Sequence, residues 1–368
     1  MEGKLIQWFE WFHRNPELSY EEYSTTAKIR EILLEAGVEI LSCKLETGLV
    51  AIIQGKKPGI VRALRCDIDA LPIVEETHLP YASECNGKMH ACGHDLHIVS
   101  GIGCAILLNE RKDELAGTLK IIFQPAEESS LGALKILETD VMDDVEQIWG
   151  IHADPTNEVK VLGIRTGYVT AAVDRFIITV KGIGCHGAHP DDGIDPIPAA
   201  AAIVQALQSI VTRNINAFHP ALVSVTKIEA GNTWNVIPET AVLEGTVRTM
   251  DRKDRVLFKK RMEEISKSTA RAYGAEAVME WIPGPPATYN DASMVQESIR
   301  TAKECGFTVV PEETSMGGDD FSFYEDKVPG CYIKVGSGKG QLIHQPGFQV
   351  DKKVIWPAVK YLAALLSC

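Results

Sequence analysis

Asp174-Arg175-Phe176-Ile177-Ile178-Thr179-Val180-Lys181 is the stretch on which the reading of the fold turns. Polar and apolar side chains alternate along it, the period of a strand with one face buried and one face wet. Beyond it, Pro196 to Val211 is an alanine-rich helix, and Leu222 to Glu229 and Ala241 to Thr249 are strands. Arg252 to Tyr273 is a long charged helix, and Glu276 to Ile282 a last strand. That β-α-β-β-α-β order predicts a self-sufficient small domain of one sheet and two helices. Pro283, Gly284, Pro285 and Pro286 then mark a linker.

Upstream, the rhythm differs. Amphipathic helices are expected near Lys4 to His13 and Glu21 to Ala36, then strands at Leu49 to Gln54 and Ile60 to Arg65. A helix from about Asp95 to Arg111, a strand Thr118 to Phe123, a helix Leu131 to Leu137 and a strand ending near His152 follow. Strands alternating with helices argue for a parallel or mixed sheet covered on both faces. The chain closes with a helix near Lys353 to Leu366. The expected organisation is α/β: a discontinuous mixed-sheet domain over 1–170 and 285–368, with an α+β domain over 171–284 inserted in it.

Length and charge narrow the classes of function. A chain of 368 residues, 45% hydrophobic and 24% charged, can bury two ordinary cores. Its 50 acidic against 37 basic residues give a net charge of -13, which repels phosphate backbones and anionic membranes. Nucleic acid and membrane are therefore not expected partners, and an anionic substrate would need positive charge supplied locally. Met1 to Glu10 lacks a signal-peptide pattern, and no apolar run approaches the ~20 residues that span a bilayer. Nine cysteines without a framework read as reduced thiols of a cytoplasmic protein.

The chemistry concentrates in Met89-His90-Ala91-Cys92-Gly93-His94-Asp95-Leu96-His97. Cys92 and His94 lie two apart, so an extended segment would point both side chains the same way, with Gly93 allowing a bend. Thiolate and imidazole together suit borderline-soft divalent ions such as Zn, Co, Ni or Mn. In Phe123-Gln124-Pro125-Ala126-Glu127-Glu128, two carboxylates follow an apolar strand, where ligands gather in open α/β sheets. One of the pair can bind metal while the other faces a metal-bound water. Asp67 and Asp69 share a side by their spacing, and one of them could orient a metal-bound imidazole. His152 ends another strand and His344 lies near the C-terminus. Together, Cys92, His94, Glu128, His152 and His344 could ligate two ions.

These residues resemble the M20 metallopeptidases, specifically the aminoacylase and hippurate-hydrolase-like amidohydrolases. The matching stretches are His13 to Leu18, Asp67-Ile68-Asp69-Ala70-Leu71-Pro72, Met89 to His97, Phe123 to Glu128 and Gly150-Ile151-His152. They continue through His186-Gly187-Ala188-His189-Pro190, Asn235-Val236-Ile237-Pro238, Gly317-Gly318-Asp319-Asp320-Phe321 and Ile343-His344, in the family's order. The resemblance implies a di-metal catalytic domain with an inserted lid or dimerisation domain, and a homodimer formed through that insert. It assigns Cys92 as the ligand shared by two divalent metals, with His94, Glu128, His152 and His344 completing the sites. Glu127 becomes the general base and Asp69 a carboxylate that supports the ligands. His186 is the expected oxyanion partner, and Asn235, Arg248, Gly317 and Gly318 the surface for a substrate carboxylate. Asp191 and Asp319 depart from the family's usual histidine and glutamate, and Cys66 and Cys185 replace a small residue and a glycine.

The reaction so implied is attack of a metal-bridging water on the amide carbon of a small N-acyl amino acid or dipeptide, with Glu127 taking the water's proton. Two other readings stand beside it. Cys92 would be a nucleophile with His94 or His97 as base, or the chain would be a metal-binding regulatory protein without turnover.

Overall fold

A computed structural model describes residues 1–367, which form two compact units. The first comprises residues 1–169, 288–313 and 319–367. Its eight-stranded sheet runs in the order Glu39–Ile40, Leu49–Gln54, Ala116–Gln124, Lys57–Asp67, Gln147–Asp154, Gly330–Gly336, Val161–Ile164, Thr308–Pro311. The middle strands Ala116–Gln124, Lys57–Asp67, Gln147–Asp154 and Gly330–Gly336 are parallel, so their carboxyl ends share one edge. The sheet is mixed, as its helix-strand rhythm predicts, because Leu49–Gln54 joins it antiparallel.

Both faces are buried, and successive residues feed opposite cores. Ile121, Phe123 and Leu64 pack with Phe9, Ile29, Ile98 and Val359, whereas Ile122 and Ala63 face Ala133, Ile136 and Tyr324. That is why these strands read as continuous apolar runs. Helix His94–Glu110 is buried from His94 through Ile106 and packs on strand Lys57–Asp67 and on helices Glu2–Arg14 and Ile355–Leu366. It is apolar all round, as a helix with neighbours on every side must be.

Some boundaries differ from the sequence reading. The second helix starts at Tyr23 rather than Glu21, with Glu22 at its N-cap. The last helix starts at Ile355 rather than Lys353, because Asp351 accepts the Lys353 N–H and closes a short 3-10 turn first. Helix Ala292–Glu304 and strand Gly330–Gly336 fill the region that the sequence resolves only as mixed α/β.

The second unit comprises Thr170–Ala287 and Thr314–Gly318. Its antiparallel sheet has the order Ala221–Ala230, Thr240–Thr249, Ala172–Lys181, Glu276–Pro283. With helices Pro196–Arg213 and Arg252–Ala272, the β-α-β-β-α-β order predicted from sequence is the order found. Phe176, Ile178 and Val180 project from one face of strand Ala172–Lys181 into a core with Ile203, Leu207, Phe258 and Met262. Asp195 and Asp251 cap the two helices, Asp195 accepting the Ile197 N–H and Asp251 the Lys253 and Asp254 N–H groups. No helix among the described residues is long and apolar enough to cross a membrane.

Candidate metal centre

The shared carboxyl edge of the first unit's parallel strands gathers the chemistry. Asp67 and Gln124 end neighbouring strands in register, Glu127 and Glu128 follow Gln124, and His152 lies near the end of Gln147–Asp154. Cys92 and His94 enter at the start of the central helix. Contrary to the extended pair expected from their spacing, His94 is already the first helical residue, and Gly93 turns the chain at φ 83°. A side chain there would meet the Ala153 Cβ at 2.6 Å, so glycine is required twice over.

Cys92 Sγ lies 3.3 Å from His152 Nε2 and 3.4 Å from His344 Nε2, and Glu128 Oε1 lies 3.6 Å from His344 Nε2 and 3.9 Å from His94 Nε2. Donors bound at ~2.0–2.3 Å around one tetrahedral ion stand ~3.3–3.8 Å apart, so all but the 3.9 Å pair are spaced as ligands of one ion would be. Their backbone neighbours set the tautomers. His94 Nδ1–H donates to the Asp69 carbonyl at 2.8 Å and His152 Nδ1–H to the Ala153 carbonyl at 2.7 Å, so each turns an Nε2 lone pair inward. His94 Nε2 and Glu128 Oε1 are buried without a hydrogen-bond partner, an arrangement that is costly unless a cation completes it. Burial disfavours a charged His94, yet Asp67 and Cys92 hold its pKa well above the usual histidine range. The surroundings favour positive charge at that point. His344 itself sits in the left-handed region at φ 65°, strain of a kind that persists where the surrounding structure enforces it.

Glu127 and Glu128 begin a single 3-10 turn, with Ala126 before it at φ 56°. Glu127 is buried and shares a ligand-sized cluster with His94 and Glu128. Burial raises its pKa well above the usual carboxylate value, reinforced by Asp319, Glu128 and Asp320 and opposed by Arg65. Burial also pushes Glu128 up to about 7, with His94 pulling the other way. Asp69 ties the parts together. Its Oδ2 accepts the Glu128 N–H at 3.0 Å and the Ser19 hydroxyl at 2.7 Å, and its Oδ1 lies 3.3 Å from His94 Nδ1.

The other expected residues lie in the second unit. His186 pairs with Val236 in a two-stranded ribbon, and Gly187 N–H donates to the Asn235 carbonyl at 2.8 Å, so His186 and Asn235 are neighbours. Ala188 N–H donates to His186 Nδ1 at 3.1 Å. Arg248 lies opposite Val173 in the four-stranded sheet, and Gly318 abuts Val173 so closely that a Cβ would lie 2.2 Å from its Cγ2. The Gly317 carbonyl accepts the Ala171 N–H.

Several supporting residues escape a reading by ligand type. Arg65 is wholly buried, bonds Asp67, reaches Asp320 Oδ1 at 2.6 Å and Asp319 Oδ1 at 3.1 Å, and donates to Gln124 at 3.0 Å. Its signal was a charge inside an apolar strand, which must be paired if the strand is covered on both faces. His97 is bound at both nitrogens: Nε2 accepts the Ala153 N–H at 2.9 Å and Nδ1–H donates to Asp67. It therefore has no lone pair to lend to Cys92. His13 joins Asp95 at 2.7 Å to Glu75 at 3.1 Å beneath the start of the central helix.

The profile of Peptidase family M20/M25/M40 matches residues 63–367. An N-acetylcysteine deacetylase of Bacillus subtilis is 44% identical over 98% of this chain and 96% of its own length. A second, an N-acetyl-L-cysteine deacetylase of the same organism, is 41% identical over 98% of this chain and 87% of its own. A Bacillus subtilis crystal structure described as a dinuclear metal binding peptidase from the M20 family superposes with a TM-score of 0.91 at 41% identity, covering 100% of this chain and 97% of that one.

Proposed function

We propose that this chain, which belongs to Peptidase family M20/M25/M40, is a metal-dependent hydrolase that cleaves the amide bond of small N-acyl amino acids or short peptides. The observation that carries the proposal is the pair of orphaned inward atoms, His94 Nε2 and Glu128 Oε1, beside the buried carboxylate of Glu127. The donor set fits two divalent cations of the Zn, Mn, Ni or Co class, which Cys92, His94, Glu128, His152 and His344 would hold. When bound, such ions act as Lewis acids and lower the pKa of water toward ~7. The dinuclear M20 peptidase of similar structure supports that count.

Glu127 then takes the proton of the attacking water and delivers it to the departing amine, a role worth about 10²- to 10⁴-fold. Burial suits it, since a carboxylate whose pKa is raised is a stronger base than one in water. Asp69 holds His94 and the Glu128 backbone in place. His186 is assigned to the developing oxyanion, and Asn235, Arg248, Gly317 and Gly318 to the substrate's carboxylate, which in so acidic a chain needs local donors. Two N-acetylcysteine deacetylases among the relatives favour a short acyl group on the substrate. Against the rival reading of Cys92 as nucleophile, His97 is committed at both nitrogens, burial drives the Cys92 thiol far up, and a thiol mechanism with His94 as base would leave Glu127, Glu128, His152 and His344 without a role.

A cytoplasmic homodimer is part of the same proposal. Phe218 and Trp234 in the second unit are 93% and 94% exposed, large apolar side chains that association would cover. The function is tested with metal-free protein, Zn²⁺ or Mn²⁺, and a panel of N-acyl amino acids and dipeptides read by mass spectrometry. Release of free amino acid should need added metal and stop with chelator. Turnover in metal-free protein, or none across the panel with two ions bound, would overturn the proposal.

A further inference from the structure

Ala126, immediately before Glu127, is a non-glycine residue in the left-handed region at φ 56°. Such a conformation persists only when its surroundings enforce it. Here both sides of the residue are tied. Its carbonyl accepts the Ser129 hydroxyl at 2.8 Å and the Gly132 N–H at 3.2 Å. Its N–H donates to Glu22 Oε1 at 2.7 Å, across 104 positions of sequence.

Glu22 is wholly buried, and its second oxygen accepts the Thr47 hydroxyl at 2.8 Å. One turn on, Thr26 Oγ1 accepts the Gly48 N–H at 2.8 Å, which ties the same helix to the same loop. The carboxylate is thus held at both ends. Burial and the nearby Asp69 push Glu22 up to about 7, so the fold keeps an acid where its charged form is disfavoured. Among the described residues, no hydrogen bond joins Glu22 to Glu127 or Glu128 themselves, so it acts on them through the backbone.

The geometry points to Glu22 as a positioning residue that clamps the strained Ala126 turn and so aims Glu127 and Glu128. The inference rests on the reading of Glu127 as proton carrier. Releasing the clamp lets the turn relax toward ordinary backbone geometry and moves the Glu127 carboxylate, and displacement of about 1 Å can cost ~10²-fold in rate.

The test uses Glu22→Ala, Glu22→Gln and Thr47→Val in the metal-loaded enzyme, with Glu127→Gln alongside. Glu22→Ala should lower kcat per folded molecule by about 10²-fold at near-constant KM. It should also speed amide hydrogen exchange in the 124–130 segment. Glu22→Gln keeps the Oε1 acceptor and should retain most of kcat. Unchanged kcat in Glu22→Ala, or an equal loss in Glu22→Gln, would overturn the inference. If Glu22→Ala does not fold, Thr47→Val decides. It strips Oε2 of its donor and should lower kcat by roughly tenfold while speeding exchange at the turn. Wild-type kcat and exchange in that variant would overturn the inference instead. Should Glu127→Gln keep its turnover, the reading of the site falls and Glu22 falls with it. Should Glu127→Gln be inactive while Glu22→Ala is unaffected, only the role of Glu22 falls.

Discussion

Gly93→Ala isolates the turn that brings Cys92 and His94 together. Alanine at φ 83° costs about 1–2 kcal/mol in backbone strain. Its Cβ would also land 2.6 Å from the Ala153 Cβ and 3.4 Å from the Phe348 ring, so something must shift. Overpacking of that kind adds about 1–3 kcal/mol. The expected destabilisation of the metal-free protein is therefore about 2–5 kcal/mol, read by urea unfolding. The cost has a direction, because the neighbour to be displaced is the residue that follows His152. Metal stabilises a folded protein by RT ln(1 + [L]/Kd), so the gap between metal-loaded and metal-free unfolding curves measures affinity for the ions. That gap should shrink in Gly93→Ala as His152 is pushed from Cys92 and His94. A metal-free loss below about 1 kcal/mol, or a full metal gap, would refute the view that this turn builds the centre.

Cys92→Ser should lose metal occupancy before any chemistry is tested, because a neutral hydroxyl would replace the thiolate proposed to serve both ions; full occupancy with full activity would remove Cys92 from the site. His13 supplies a pH signature. Burial would lower its pKa, but Asp95 and Glu75 carry it from 6.5 to about 9. With the folded value above the unfolded one, its contribution is fully present below pH ~6.5 and lost as pH rises through about 9, on the order of 3 kcal/mol. His13→Gln should flatten that fall in unfolding free energy, and an unchanged slope would contradict it. If His186 serves the neighbouring subunit, inactive His186→Ala and Glu127→Gln chains refolded together should recover roughly a quarter of wild-type activity. No recovery in proven mixed dimers would place His186 in its own chain or outside the reaction.

What was legible in the sequence follows from length and pattern. Leu49–Gln54 and the central helix stand out as apolar runs, and in the β-α-β-β-α-β unit strand alternation and helical repeats are long enough to show. Strands such as Glu39–Ile40, Val161–Ile164 and Thr308–Pro311 are too short to carry a period, and only neighbours across the sheet define them. The ligand types clustered near Cys92 and Glu128 stood out because sulfur, imidazole and paired carboxylates rarely adjoin by chance. Their geometry did not. The spacing of Cys92 and His94 suggested an extended pair, whereas Gly93 lets His94 open a helix. Arg65, Glu22 and the bracing role of His97 were hidden for a different reason: each matters through a partner far away in sequence, such as Asp320, Ala126 or Ala153. Single-residue chemistry cannot announce a contact of that kind.

The central claim is that Glu127 moves a proton while its neighbours hold the ions. Metal content and turnover of Glu127→Gln, measured on one sample, address it directly. Two ions per chain with kcat reduced by about 10²- to 10⁴-fold is the predicted result. A Glu127→Gln protein that arrives without metal would make Glu127 a ligand and reverse its assignment with Glu128, and one that turns over normally would contradict the mechanism outright.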